Sequence, residues 1–350
     1  MVVAGSAPPV PMAVPVVAVA GWSGAGATTL VLGLQRVAAA TVQGLERAAA
    51  HGPVRGPAYD LPGGPVLLDA GAPGVAAADL LVLVVSAVDG LDPGSVATWR
   101  AAEDAGLPRL VAVTKADLPG ADLDESLALC RRLLGPGQGS DAGEELQPLA
   151  MPLHGGDPEA PGGVDGLLDL VTLRVLDHSG PPGWQPVVTS ATGEFLDAAA
   201  GQRDELIEAV LTASEDATLL DAWLLGIEPS PTVLGAELAI AVAGGLLHPV
   251  VAVSGVTGLG CPSLLALLRS LPLAVATGPV LDARPDAPLV LSALGDGVVR
   301  VRSGTLRPGV LGRTLTDLAG APVGWAGPGV VVVVPGLDVA PGAVLDPGAG

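Results

Sequence analysis

Gly21-Trp22-Ser23-Gly24-Ala25-Gly26-Ala27-Thr28-Thr29 follows the apolar run Val16 to Ala20 and leads into Leu30-Val31-Leu32-Gly33-Leu34. A strand-length apolar run, a glycine-rich turn and a helical segment in that order form a phosphate-binding loop. Its successive backbone N–H groups and a helix N-terminus cradle an anion. The pattern G-x-x-x-x-G-K-[ST] adds a lysine that reaches the β/γ oxygens and a hydroxyl that holds Mg²⁺. Gly21, Gly26 and Thr28 satisfy it, but Ala27 stands at the lysine position. The phosphate-binding candidates are Gly21, Gly24, Gly26, Ala27, Thr28 and Thr29. In a chain with 50 glycines such a loop says little by itself, so its neighbours must decide.

Outward from the loop, strand-length apolar runs alternate with helix-length amphipathic segments: Val16 to Ala20, then Thr29 to Ala48; Val66 to Asp69; Leu80 to Val85, then Pro93 to Ala105; Arg109 to Val113, then Asp122 to Leu134. That alternation predicts an α/β fold with a parallel sheet covered by helices. A further strand is expected at Val250 to Ser254, between helices at about Gly235 to Gly245 and Pro262 to Leu271. Strand-like runs at Leu149 to Leu153 and Leu168 to Val175 sit in a Gly/Pro-rich stretch, read as an insertion over about 135–183. After a Gly/Pro/Asp linker at 277–288, short β-branched runs between glycine turns predict a small β-barrel over 289–350. Residues 1–15 read as a flexible tail and 16–276 as the α/β domain.

Composition narrows the function. The 350 residues carry a formal net charge of −20, which excludes a basic groove that tracks nucleic-acid phosphates, so no DNA partner is expected. Arg300, Arg302 and Arg307 form a small basic exception, read as a solvated face or a local contact. Leu238 to Leu268 lacks charged side chains, but Gly244-Gly245, His248-Pro249 and Pro262 interrupt it, so no membrane span is expected. No basic n-region of a signal peptide precedes Arg36. With two cysteines at no metal-ligand spacing, the expected setting is reducing and cytoplasmic. One Phe, one Tyr, one lysine and no Asn accompany abundant Ala, Gly, Pro, Val and Leu. Such a chain predicts an aliphatic core short of aromatic packing.

Three further motifs follow the loop. In Leu67-Leu68-Asp69-Ala70-Gly71-Ala72-Pro73-Gly74 a strand ends in an aspartate that would reach Mg²⁺ through water, so Thr28 and Asp69 are the metal candidates. In Val111-Ala112-Val113-Thr114-Lys115-Ala116-Asp117 a buried strand ends in T-K-A-D, close to the N-K-x-D that reads guanine. There a carboxylate accepts from the guanine N1–H and amine while a lysine stem lies over the base. Lys115 is the only lysine in the chain. In Val253-Ser254-Gly255-Val256 small residues let backbone N–H groups approach the guanine carbonyl. The guanine candidates are therefore Thr114, Lys115, Asp117, Ser254, Gly255 and Val256.

With four pieces in order, the chain resembles the elongation factor G family. The stretch Ala78 to Asp117 is similar to that family almost throughout, with Trp99-Arg100 and Gly106-Leu107-Pro108 in place. Leu149 to Leu153 with Gly163 to Leu170 resembles its inserted subdomain. Arg300-Val301-Arg302-Ser303-Gly304-Thr305-Leu306-Arg307-Pro308-Gly309 resembles the signature of its second domain. The resemblance covers roughly Val16 to Pro347. It implies a P-loop GTPase-type, mostly parallel sheet with an inserted subdomain, followed by a translation-factor-type β-barrel. It also implies GTP/GDP and Mg²⁺ as cofactors, and guanine nucleotide and the ribosome as partners.

The departures fall on catalysis. Leu30 to Leu68 is too short for the family's switch segment and has no counterpart of its Mg²⁺-binding threonine. Val75 stands where the resemblance calls for a water-orienting histidine, with the following helix shortened; neither His51 nor His154 replaces it. Losing the loop lysine removes a contact worth roughly 1.5–3 kcal/mol. The expectation is weak or absent nucleotide binding, negligible hydrolysis with no catalytic residue, and no translocation by this chain alone. The alternative is a non-enzymatic ribosome- or protein-interaction module that uses the barrel and the inserted subdomain, with R-V-R-S-G-T-L-R-P-G as its motif.

Overall fold

The computed structural model describes residues 13–41, 58–61, 64–69, 71–135, 146–153, 163–179, 185–273, 287–317, 320–326, 328, 330–341 and 343–347. Most of the expected tail and linker, much of the insertion, and His51 and His154 lie outside them.

In chain order the first half holds β1 (Val16–Ala20), α1 (Ala27–Thr41), β2 (Ala58–Asp60), β3 (Val66–Leu68), α2 (Gly71–Gly74), β4 (Leu80–Ser86), α3 (Pro93–Asp104), β5 (Arg109–Thr114), α4 (Leu123–Leu134) and β6 (Leu146–Pro148). The second half holds β7 (Ala150–Leu153), β8 (Gly166–Asp169), β9 (Arg174–Asp177), β10 (Val187–Ser190), α5 (Glu194–Thr212), α6 (Ala217–Leu224), α7 (Pro231–Ala243), β11 (His248–Ala252), α8 (Cys261–Ser270), β12 (Val290–Gly295), β13 (Val298–Ser303), β14 (Val331–Val333) and β15 (Val344–Leu345). Seven strands form one sheet in the order β2-β3-β1-β4-β5-β11-β6; β1 with β3, β4 with β5, β5 with β11 and β11 with β6 pair parallel, and β2 with β3 antiparallel. The mostly parallel α/β expectation holds. Strands β1, β4 and β5 are buried along their whole length, which is why they read as continuous apolar runs instead of alternating ones.

By internal packing the chain forms two compact units: Val19–Ala49 with Leu81–Pro272, and Met1–Ala18 with Ala50–Leu80 and Leu273–Gly350. In the first, β4 pairs β5 from Leu81↔Arg109 to Ser86↔Thr114, and β11 continues the sheet from Val250↔Val111. Helix α1 buries Leu30, Val31, Leu34, Val37 and Ala38, the spacing of a single apolar stripe. Helix α3 begins where the Asp92 carboxylate accepts from the Ser95 and Gly94 N–H groups and Pro93 takes the first turn, a strong N-terminal signal. Trp99, buried in α3, donates its indole N–H to the Leu134 carbonyl at 3.0 Å.

The insertion supplies an antiparallel sheet in the order β10-β9-β8-β7. The run Leu168 to Val175, expected as one strand, is instead a hairpin turn between β8 and β9. Asp169 Oδ1 accepts from the Val171 N–H at 3.0 Å and the Thr172 N–H at 2.6 Å, and Leu173 takes φ 53°. A side-chain acceptor two and three residues before its donors folds the chain back. Helices α5 and α6 are not among the expected elements, although Ala199, Arg203, Leu206, Ile207, Val210 and Leu211, buried in α5, follow helical spacing.

In the second unit β12, β13, β14 and β15 form an antiparallel sheet around Leu291, Val299, Val301, Leu306 and Val332. This is the β-rich region expected after the linker. Arg300, expected on a solvated face, is fully buried here. Its Nη2 lies 2.6 Å from Asp79 Oδ2, its Nη1 donates to the Ala77 carbonyl, and Asp79 Oδ2 also accepts from the Val16 N–H at 2.9 Å. A buried guanidinium needs such partners, because an unpaired one would not leave water. The period-2 alternation of β13 puts Arg300 on the face opposite the core residues Val299 and Val301, where Asp79 and the Ala77 carbonyl meet it, so it is a structural ion pair and not part of an exposed basic patch.

Candidate guanine-nucleotide site

The phosphate-loop candidates gather after β1. Gly24 and Gly26 take φ 103° and 96°, a region that favours glycine, and a Cβ at Gly21 would stand 2.6 Å from the Val84 carbonyl oxygen. The Ala25 N–H closes a turn onto the Trp22 carbonyl at 3.0 Å, and the Leu30 N–H to Gly26 carbonyl bond at 2.8 Å opens α1. The loop therefore has the backbone of an anion cradle. Ala27 contributes only a methyl group, and Thr28 and Thr29 are exposed in the first helical turn.

Strand β5 brings the T-K-A-D turn to this loop. Thr114, expected to face the base, is buried, and its hydroxyl is directed at the Ala25 carbonyl and at the Val85 carbonyl 3.1 Å away. With one proton to give, it ties the loop to the sheet and has none left for a base. Lys115 takes the left-handed φ of 60°. Its Nζ lies 2.6 Å from Asp89 Oδ2 and 6.0 Å from the centre of the Trp22 ring. The half-buried Asp117 carboxylate makes no hydrogen bond or ion pair among the described residues, so it is available to a ligand.

The turn that carries Asp117 is braced from two sides. The Ala116 N–H meets the Val253 carbonyl at 3.4 Å, and the Val164 N–H meets the Ala116 carbonyl at 3.0 Å. Gly163 packs so closely that a Cβ there would stand 1.9 Å from the Asp117 carbonyl oxygen. Beneath lies a cluster of Ala116, Val164, Leu167, Ala252 and Leu259. The inserted sheet thus supports the base side directly, a role that residues 163–167 gave no sign of in the sequence.

The third turn follows β11, which runs from His248 to Ala252 and not, as expected, to Ser254. Ser254 ends it early: its Oγ accepts from the Val256 and Thr257 N–H groups at 3.2 and 3.1 Å. That spends the Val256 N–H, and the Val256 side chain points to solvent. The Gly255 N–H makes no hydrogen bond among the described residues and remains to meet a carbonyl such as guanine O6. Gly255 also touches α1, where a Cβ on it would lie 2.3 Å from the Thr29 carbonyl oxygen and one on Gly33 would lie 2.8 Å from its Cα. Two glycines at one crossing let the helix and the turn approach to backbone contact. The structure thus brings the phosphate loop, Lys115, Asp117 and Gly255 together in one compact unit.

The two metal candidates fall in different units, Thr28 in the first and Asp69 in the second. Asp69 stands at the end of β3, half-buried, with Tyr59 close enough that burial and the negative charge push the phenol above its usual range. Helix α2 is a single turn, followed by a 3-10 turn at Val75–Ala77 in which Val75 is buried. Among the described residues no three His, Cys, Asp or Glu side chains converge as a metal site. At the loop, Thr28 is the donor the chain can offer Mg²⁺, whose other oxygens would have to come largely from a bound phosphate and water. The fit is therefore uneven. At the expected base end the Asp117 carboxylate and the Gly255 N–H have no hydrogen-bond partner among the described residues, whereas Thr114, Lys115 and the Val256 N–H are engaged within the protein; the phosphate end has shape without a cation.

A glycine loop, a carboxylate turn and a small-residue turn after successive parallel strands define the class of P-loop-type nucleotide-binding proteins. Residues 59–272 match the family described as "Elongation factor Tu GTP binding domain", more than half of the chain, and the chain belongs to this translational GTPase family. It is 28% identical over 257 residues to an elongation factor G-like protein of Mycobacterium tuberculosis, an alignment that takes in 67% of this chain and 33% of that protein. It is 29% identical over 203 residues to elongation factor G of Fervidobacterium nodosum, covering 58% and 27%. A crystal structure of a Thermus thermophilus protein superposes with a TM-score of 0.67 at 27% identity, over 93% of this chain and 52% of that one. The chain spans about a third of the length of the curated relatives it matches. No helix among the described residues is long and apolar enough to cross a membrane.

Proposed function

We propose that this elongation-factor-G-like chain binds guanine nucleotide weakly, chiefly through the base, and hydrolyses GTP negligibly. The observation that carries the reading is the contrast within one site. The Asp117 carboxylate is unspent beside a braced Lys115, while Ala27 leaves the phosphate cradle without its cation. Phosphoryl transfer relies almost entirely on stabilising charge that develops on the transferring group. Neither Ala27 nor Val75 can supply that stabilisation. Asp117 would accept from the guanine N1–H and amine, Gly255 would donate to O6, and the loop N–H groups would meet phosphate only as dipoles. Translocation forms no part of the proposal, and a ribosomal partner in the cytoplasm is proposed only on family grounds.

The interaction-module alternative loses Arg300 from its motif, because that side chain is buried and offers a partner no surface. The direct test is titration with GMP, GDP and GTP, with and without Ala27→Lys. In the unmodified protein the three affinities are expected to lie close together. With Ala27→Lys, GDP and GTP should gain roughly tenfold to a hundredfold while GMP gains little. Tight GDP binding with ribosome-stimulated turnover in the unmodified protein would refute the reading.

A further inference from the structure

We infer that Asp89, which belongs to none of the nucleotide motifs, is a positioning residue for base recognition: with Ser86 and Trp22 it holds the Lys115 side chain ready as the platform for guanine. The inference rests on the guanine-binding reading above.

Lysine is a poor platform unless something fixes its far end. Its four-carbon stem has several rotatable bonds, and burying or stacking it costs rotamer freedom. In this chain the far end is fixed. The stem leaves a left-handed residue, Lys115 at φ 60°, whose carbonyl is bonded by the Leu118 N–H at 3.1 Å. Its Nζ then lies 2.6 Å from Asp89 Oδ2. That carboxylate oxygen also accepts from Ser86 Oγ at 2.7 Å, and the same hydroxyl oxygen accepts from the Asp89 and Val88 N–H groups at 3.0 and 3.3 Å. Ser86 is fully buried at the end of β4, so the carboxylate is anchored to the sheet and not to a loose loop. On another side is the Trp22 ring, 6.0 Å from Nζ. That ring is itself seated on the phosphate loop, where a Cβ at Gly24 would stand 3.1 Å from its Cζ3.

The lysine is thus tethered at both ends before any ligand arrives. An exposed ion pair contributes little to stability, so the value of this one lies in order. Rotamer freedom already lost in the free protein need not be lost on binding. Removing the tether should weaken guanine binding by about three- to tenfold and leave the melting temperature nearly unchanged.

The single lysine makes the test direct. Protein labelled with ¹⁵N-lysine gives one side-chain ammonium and one backbone amide signal, both from Lys115. The ammonium is expected to be ordered in the unliganded protein, mobile in Asp89→Ala and again ordered in Asp89→Glu. Titration with guanosine and with GDP, followed on the same signals, should show weaker binding for Asp89→Ala and recovery in Asp89→Glu. An ammonium equally mobile in the unmodified protein and in Asp89→Ala, or equal guanosine affinities for the two, would overturn the positioning role alone. An ordered ammonium with no response to guanosine or GDP would overturn the guanine reading, and the positioning role with it.

Discussion

The two ends of the candidate site contrast. At the base end, the Ala116 N–H bond to the Val253 carbonyl, the Val164 N–H bond to the Ala116 carbonyl and the close approach of Gly163 hold the turn that carries the Asp117 carboxylate. At the phosphate end the left-handed glycines keep the loop's path, but Ala27 carries no charge to oppose a phosphate. Backbone shape and side-chain charge are therefore separable. The path of a loop is enforced by packing, as Thr114 on the Ala25 carbonyl and Gly21 against Val84 enforce this one, whereas a lysine side chain at position 27 would project from that path without setting it.

The sharpest way to break the comparison is Asp117→Ala. If recognition rests on the base, this change should abolish guanine binding, by about a hundredfold or more, while thermal stability holds, since the carboxylate bonds none of the described residues. Survival of GDP binding in that variant would move recognition to the phosphate loop. Gly255→Ala tests the brace: its methyl would enter the Thr29 backbone, and overpacking of that kind costs about 1–3 kcal/mol. Denaturant unfolding should show that loss, and an unchanged midpoint would mean that α1 yields freely and the two ends are not rigidly joined.

A smaller effect comes from the opposite end of the same strands. His248 is buried against Trp99, with Arg109 Nη2 3.2 Å from its Nε2 and its Nδ1 3.3 Å from the Arg109 carbonyl. An arginine donor requires an unprotonated Nε2, so the ring is neutral with its proton on Nδ1. Burial, aided by the Arg109 charge, pushes its pKa down to about 4. The folded pKa is depressed, so the stability this ring contributes is fully present above the unfolded value near 6.5 and is lost as pH falls through about 4. Between about pH 7 and pH 5 the loss should be on the order of 1–2 kcal/mol. His248→Gln should flatten that part of the stability–pH curve, and an unaltered slope would show that the ring already protonates in the folded state.

How much of this was legible follows from what each residue depends on. The strands at Val16, Leu80 and Arg109 and the helices after them read directly from apolar period, because a strand buried on both faces has no polar positions to confuse it. The hairpin at Asp169 and the early end of β11 at Ser254 did not, since each turns on one side-chain oxygen bonding N–H groups two or three residues on. Arg300 looked like surface because its partner, Asp79, lies more than 200 residues away in sequence.

By itself the sequence determined the α/β order, the T-K-A-D and S-G-V turns, and the missing loop lysine, since these depend on local period and on residue identity. The tertiary structure was needed to show that the Thr114 hydroxyl ties the loop to the sheet through the Ala25 and Val85 carbonyls. It alone showed that the inserted strands brace Asp117 and that Asp89 and Trp22 meet Lys115. Those contacts join segments whose spacing along the chain carries no signal, and they exist only once the sheet has set the strand ends side by side.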